Sequence, residues 1–150
     1  MRHELHTQVD IEATPQTVWN VLTDLDHYSE WNPFIVEASG DAVVGNKLTN
    51  RMQAPGGKAM TIKPAVTAVE PAETFEWLGH LGVPRVFDGR HRFELQTTPT
   101  GGTRVLHTEQ FRGVLVRFMR KTLDTQTHAG FEAMNTALKT RAEAQAGAGS

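Results

Sequence analysis

At 150 residues the chain has the length of one domain, and a domain of that size buries about 68–70% of the surface its unfolded form exposes, so one continuous core is expected. Hydrophobic residues make up 39% and charged residues 21%, which excludes the apolar-poor, charge-rich make-up of a disordered chain. A formal charge of −2 supplies no basic surplus for a phosphate backbone or an anionic membrane, so nucleic acid is not an expected partner. The chain contains no cysteine, which removes disulfides, thiolate nucleophiles and cysteine-bound zinc. The first residues alternate polar and apolar and lack the apolar run of a secretion signal. No stretch approaches the roughly 18 apolar residues of a membrane span, and a cytoplasmic protein is expected.

From Glu4 to Ile11 the apolar positions Leu5, Val9 and Ile11 recur every second residue, the period of a half-buried strand, with Thr7 interrupting the apolar row. In "TPQTVWNVLTDL" Thr14 can cap a helix, Pro15 suits its first turn, and Val18, Trp19, Leu22 and Leu25 recur at helical spacing. One or two further helical turns run from Asp24 to Trp31, where Pro33 forces Asn32 into extended geometry.

Strands then follow one another. The expected ones are Phe34 to Ala38, Lys47 to Gln53, Ala59 to Val69 with Pro64 as an irregularity, Thr74 to Leu81, Val86 to Thr97 and Thr103 to Arg112. With the first strand this makes about seven, closely spaced, as in an antiparallel meander. "APGGK" and "TPTGG" are the turns between neighbours. Beyond Gly113 the period changes again. Leu115, Met119, Leu123, Thr127, Gly130 with Phe131, Met134 and Leu138 mark the stripe of a long amphipathic helix, expected over Leu115 to Ala142 with a bend near Gly130. The Ala, Gly and Ser residues of 144–150 suggest a disordered tail after a domain spanning 1–143.

The order of these elements, with "EWNPF" after the paired helices, "IKPAVTAVEP", "FEWLG", "GRHRFEL", "GGTRVLHTEQFRG" and "GFEAMNTALKTRAE", resembles the START-related, Bet v 1-like superfamily (SRPBCC), in its polyketide cyclase/dehydrase-like branch. The resemblance implies an α+β helix-grip fold: a curved antiparallel sheet, two short helices after the first strand, and a long C-terminal helix over the sheet enclosing a cavity. It also implies that Trp31 plugs one end of the concave face.

Strand parity proposes the side chains that look into that cavity. Phe75, Trp77 and Gly79 share a face, as do His91, Phe93 and Leu95, and Val105, His107, Glu109 and Phe111. The expected ligand-facing set therefore comprises Trp31, Phe34, Asn50 and Met52; Phe75, Trp77, His91, Phe93, His107 and Glu109 from the later strands; and Met119, Leu123, Thr127, Phe131 and Met134 from the helix. His91, His107 and Glu109 stand out as polar groups on an apolar surface, where burial is costly unless they are paired. They are the candidate catalytic residues, able to orient a carbonyl or hydroxyl or to move protons as an acid/base pair. A self-satisfied polar network is the competing reading.

Two histidines and a glutamate lack the spacing of a metal motif, so no metal is expected. His3, His6, His27, His80 and His128 are expected to take no part in the site. Binding of a hydrophobic small molecule (a lipid, polyketide or aromatic metabolite) is the leading function. A cofactor-independent cyclase or dehydratase using the His/Glu cluster, and a chaperone-associated interaction domain, are the alternatives. No cofactor is expected, and a homodimer is left open.

Overall fold

A computed structural model describes residues 2–148. Its eight strands form two antiparallel sheets. Strands β1 (Arg2–Ile11), β5 (Ala65–Glu70), β6 (Thr74–His80), β7 (Asp88–Thr97) and β8 (Thr103–Arg112) lie in the order β1-β8-β7-β6-β5, while β2 (Ile35–Ser39), β3 (Thr49–Met52) and β4 (Met60–Ile62) make the second sheet. The bridge between Lys47 and Ala65, with the backbone bond from Leu48 to Pro64, joins the two. One strand more than expected is present because Pro64 divides the single strand expected over Ala59 to Val69 into β4 and β5. Proline has no N–H for the ladder and ends a strand more readily than it interrupts one.

Helix α1 (Pro15–Leu22) starts as its sequence dictates. Pro15 occupies the first turn, and the Thr14 hydroxyl accepts from the Thr17 N–H. A 3-10 helix over Leu25–Glu30 follows. The Asn32 side chain then accepts from the backbone N–H groups of Phe34 and Ile35 and turns the chain into β2.

The C-terminal helix is α2 (Val116–Thr122), a π-helical segment (Leu123–Thr127) and α3 (His128–Ala148). Three expectations change here. Val116, not Leu115, opens the buried stripe, since Leu115 is exposed. The irregularity falls at Leu123–Thr127 rather than Gly130, whose missing side chain instead seats the Phe34 ring against the helix. The helix also runs on through Ala148, past the expected domain end at 143, and residues 149–150 of the expected tail lie outside the described residues. Alanine favours a helix strongly enough to carry it that far. Phe131, Met134, Leu138 and Ala142 are fully buried on one stripe of α3, and the core lies between that stripe and the large sheet.

Register across the large sheet stacks side chains in rows. Trp77, His91, Glu109 and Leu5 oppose one another across β6, β7, β8 and β1; Phe75, Phe93, His107 and Thr7 form the next row. On the other side of the Trp77 row stand Gly79, Gly89, Phe111 and His3. Two adjacent strands thus lack side chains at one level, and the concave face is hollow there.

Candidate functional site

A cavity of about 230 Å3 opens at that hollow. Gly79, Gly89 and Phe111 floor it beside Trp77 and Glu109, and Met119, Leu123 and Thr127 cover it from the helix. Phe34, Met52, Met60 and Ile62 wall one side, and Leu81 and Phe87 from the loop before β7 wall another. The π-helical segment matters to this geometry. A wider turn presents Leu123, Gln126 and Thr127 to the cavity together, and π-helical turns recur at functional sites.

Of the residues the sequence singled out, Phe34, Met52, Trp77, Glu109, Met119, Leu123 and Thr127 border the cavity. Phe75, Phe93, Phe131 and Met134 lie behind it, fully buried in the core; Phe75 is covered by Trp19 and Trp77. Trp31 stands apart, packed edge-on against Tyr28 at 5.1 Å, so it closes the 3-10 helix rather than the cavity. Asn50 is fully buried away from the lining, and neither of its side-chain polar atoms has a partner among the described residues. His80, expected to play no part, borders the cavity mouth, its Nδ1 2.6 Å from Asp88 Oδ1. It sits at the end of β6, where alternation no longer decides which way a side chain leans. His3 is also more than a terminal residue, since its Nε2 reaches Asp124 in the π-helical segment at 2.6 Å.

The polar cluster is a single hydrogen-bonded chain. His91 Nδ1 lies 3.2 Å from Glu109 Oε1, and His91 Nε2 lies 2.6 Å from His107 Nε2. His107 Nδ1 lies 2.7 Å from Asn135 Oδ1. Asn135 Nδ2 donates to Thr7 Oγ1 at 2.9 Å, and the Thr7 hydroxyl donates to the His107 carbonyl at 2.8 Å. Aromatic rings fix the imidazoles: Trp77 stacks on His91 at 4.7 Å, and Phe131 and Phe93 sandwich His107 at 4.2 and 4.4 Å. Nitrogens 2.6 Å apart are too close to be two ligands standing about 2.0–2.1 Å from one ion, so the facing Nε2 atoms share a hydrogen.

The chain has a direction, set at its buried end. Thr7 gives its only hydrogen to a carbonyl, so it must accept from the Asn135 amide, and Asn135 must turn its oxygen to His107. His107 then carries its hydrogen on Nδ1 and accepts at Nε2, and His91 donates from Nε2 and accepts at Nδ1. The group facing His91 Nδ1 must be a donor. A carboxyl donates only when protonated, and burial acts in the same sense: it pushes Glu109 up to about 8, His91 down to about 3, and His107 well below the usual histidine range. Glu109 is held as a neutral acid.

Thr7 and Asn135 were missed as site residues, although both left a trace. Thr7 breaks an apolar row, and Asn135 is a polar residue one helical turn after Phe131 on the buried stripe. Gly89 was missed too. A Cβ there would collide with Glu109 Oε2, so glycine makes the space the carboxyl occupies.

Residues 2–143 match the family described as "Polyketide cyclase / dehydrase and lipid transport". The chain belongs to that family. Its fold is shared with solved members of the START and Bet v 1-like group. The Zhui aromatase/cyclase from Streptomyces sp. R1128 superposes with a TM-score of 0.79 at 16% identity, covering 97% of this chain and 96% of that one. A START superfamily protein from Mycobacterium smegmatis gives 0.73 at 19% identity over 95% and 99%. The di-domain aromatase/cyclase StfQ from the steffimycin biosynthetic pathway gives 0.78 at 14% identity, covering 98% of this chain and 53% of that one, so this family member spans about half of that protein. No match was found among curated protein sequences. Likeness at these identities concerns the fold, and the family name covers both cyclases and lipid carriers.

Proposed function

We propose that the protein binds a small hydrophobic molecule of one or two rings in the cavity between sheet and helix, with the Glu109 carboxyl as its polar anchor on the sheet side. The observation that carries this reading is the cavity itself: mostly apolar side chains line it, Thr122, Gln126 and Thr127 add polar groups from the helix side, and Glu109 is the carboxyl in its wall. Binding sites for small molecules have this composition, a mostly apolar lining with a few placed polar groups. At about 230 Å3 the space falls below the roughly 300–1,000 Å3 typical of drug-sized ligands, which favours a compact ring system over a long acyl chain.

A second reading rests on one feature, the proton held near neutrality. A carboxyl pushed up to about 8 and backed by two imidazoles is suited to general acid/base work on a carbonyl compound without a cofactor. Both readings are tested by one experiment. A panel of neutral one- and two-ring aromatic compounds, some carrying β-dicarbonyl side chains, is titrated calorimetrically, and each compound is recovered and weighed by mass spectrometry. Under the binding reading several bind and return unchanged, and Met52→Trp, which fills the cavity, abolishes binding while the melting temperature holds. A recovered compound that has lost water or closed a ring supports the enzyme. A panel that does not bind, or a Met52→Trp protein that binds as well as wild type, removes the cavity from consideration.

A further inference from the structure

The direction of the hydrogen-bonded chain fixes more than the protonation of Glu109. With Oε1 bearing the hydrogen that faces His91 Nδ1, the other oxygen is the carbonyl of the acid. Oε2 lies over Gly89, where a side chain on that residue would have to sit, and both residues line the cavity. On the sheet side the cavity is therefore offered an acceptor, not a donor, while Thr122, Gln126 and Thr127 supply its polar groups on the helix side. Turning the acid around would place a lone pair of Oε1 against the lone pair of His91 Nδ1, and neither imidazole can reverse while Thr7 and Asn135 hold the far end. Lys58 and His80 stand at the rim, the latter bonded to Asp88, and Glu109 is the carboxyl within the lining.

We infer that the cavity selects neutral ligands that donate a hydrogen bond (a phenol, an enol or a ring hydroxyl), received by Glu109 Oε2. This rests on the reading of the cavity as a small-molecule site and names the chemical class it takes. A ligand whose only polar atom is an ether or ketone oxygen gives Glu109 Oε2 no hydrogen and leaves that acceptor unpaired.

The test compares 2-naphthol with 2-methoxynaphthalene by calorimetry at pH 6.5, in the wild type and in two variants. The wild type should bind the naphthol about tenfold more tightly, the scale of one net hydrogen bond. Glu109→Gln should keep the preference, because its amide donates N–H to His91 and turns its carbonyl to the cavity, as the protonated acid does. Glu109→Met should erase it, leaving the two probes equal. Equal affinities in the wild type, a preference for the ether, or loss of the preference in Glu109→Gln would each overturn the inference while leaving the cavity a binding site. Binding of neither probe would overturn the inference and the small-molecule reading together.

Discussion

Gly89 shows how one missing side chain can decide a site. A methyl group there would meet Glu109 Oε2, the far end of a side chain that can swing, and not backbone. The cost of Gly89→Ala should therefore fall on the site rather than on the fold. Stability to urea should change by less than about 1 kcal/mol, because Ala suits a strand no worse than Gly, while the preference for 2-naphthol over its methyl ether disappears. A large loss of stability with the preference intact would show that the carboxyl does not sit over the glycine. Sequence reading reached Glu109, His91 and His107 because alternation alone puts them on one face. It did not reach Thr7, Asn135 and Gly89 because each acts through a bonded partner or an omitted side chain, and a strand or helix pattern records only whether a side chain is apolar. Asn50 shows the reverse: its pattern position pointed to the cavity, and its side chain is buried outside the lining.

Among the elements, the C-terminal helix departs furthest from its sequence pattern. Periodicity of three and four residues gives its length and its buried face, yet a π-helical turn is invisible to that pattern, since one wide turn shifts the stripe by less than the spacing tolerates. The sequence pattern places a bend near Gly130. By propensity alone, Gly130→Ala would stabilise the helix by about 0.8–1.0 kcal/mol. The added Cβ, however, would enter the ring of Phe34, which is itself buried and packed edge-on against Phe131 at 5.4 Å. A buried ring has nowhere to yield, and overpacking costs about 1–3 kcal/mol, so packing should outweigh propensity. The prediction is a net destabilisation of up to about 2 kcal/mol in a urea titration. A more stable variant would mean that β2 approaches the helix less closely than described. Pro64 taught a similar lesson on the sheet side, where a residue read as an irregularity within one strand proved to be the boundary of two.

For the molecule as a whole, the buried cluster should set how stability varies with pH. Glu109 titrates near 4.5 when unfolded and is pushed up to about 8 in the fold. Its contribution is complete below pH 4.5 and is lost as pH rises toward 8. His91 runs the other way, from 6.5 down to about 3, and His107 is lowered in the same sense, so their contributions are present above 6.5 and lost as pH falls. Between pH 6.5 and 8 only Glu109 of the three still changes. Stability should peak near 6.5 and fall by up to about 1.4 kcal/mol per pH unit toward 8. Glu109→Gln should lack that fall. His27 on the surface, raised by its bond to Asp24, is common to both proteins and cancels in the difference. Parallel pH curves for the two would show that Glu109 is ionised in the folded state. The fold class was legible at this scale because element order and two periodicities define it. The cavity was expected from the resemblance, but its place along the sheet was not legible, because its volume comes from two glycines that meet across a register no single strand reveals.

The hydrogen-bonded chain starts at a carboxyl on the cavity and stops at the backbone carbonyl of His107. A peptide oxygen is far too weak a base to hold a proton, so nothing that enters at Glu109 can leave at the other end. Any proton that Glu109 exchanges must come and go by way of the cavity, the one end of the chain that opens outward. The buried cluster is thus a blind conduit, able to hold one proton in place but not to carry it across the protein.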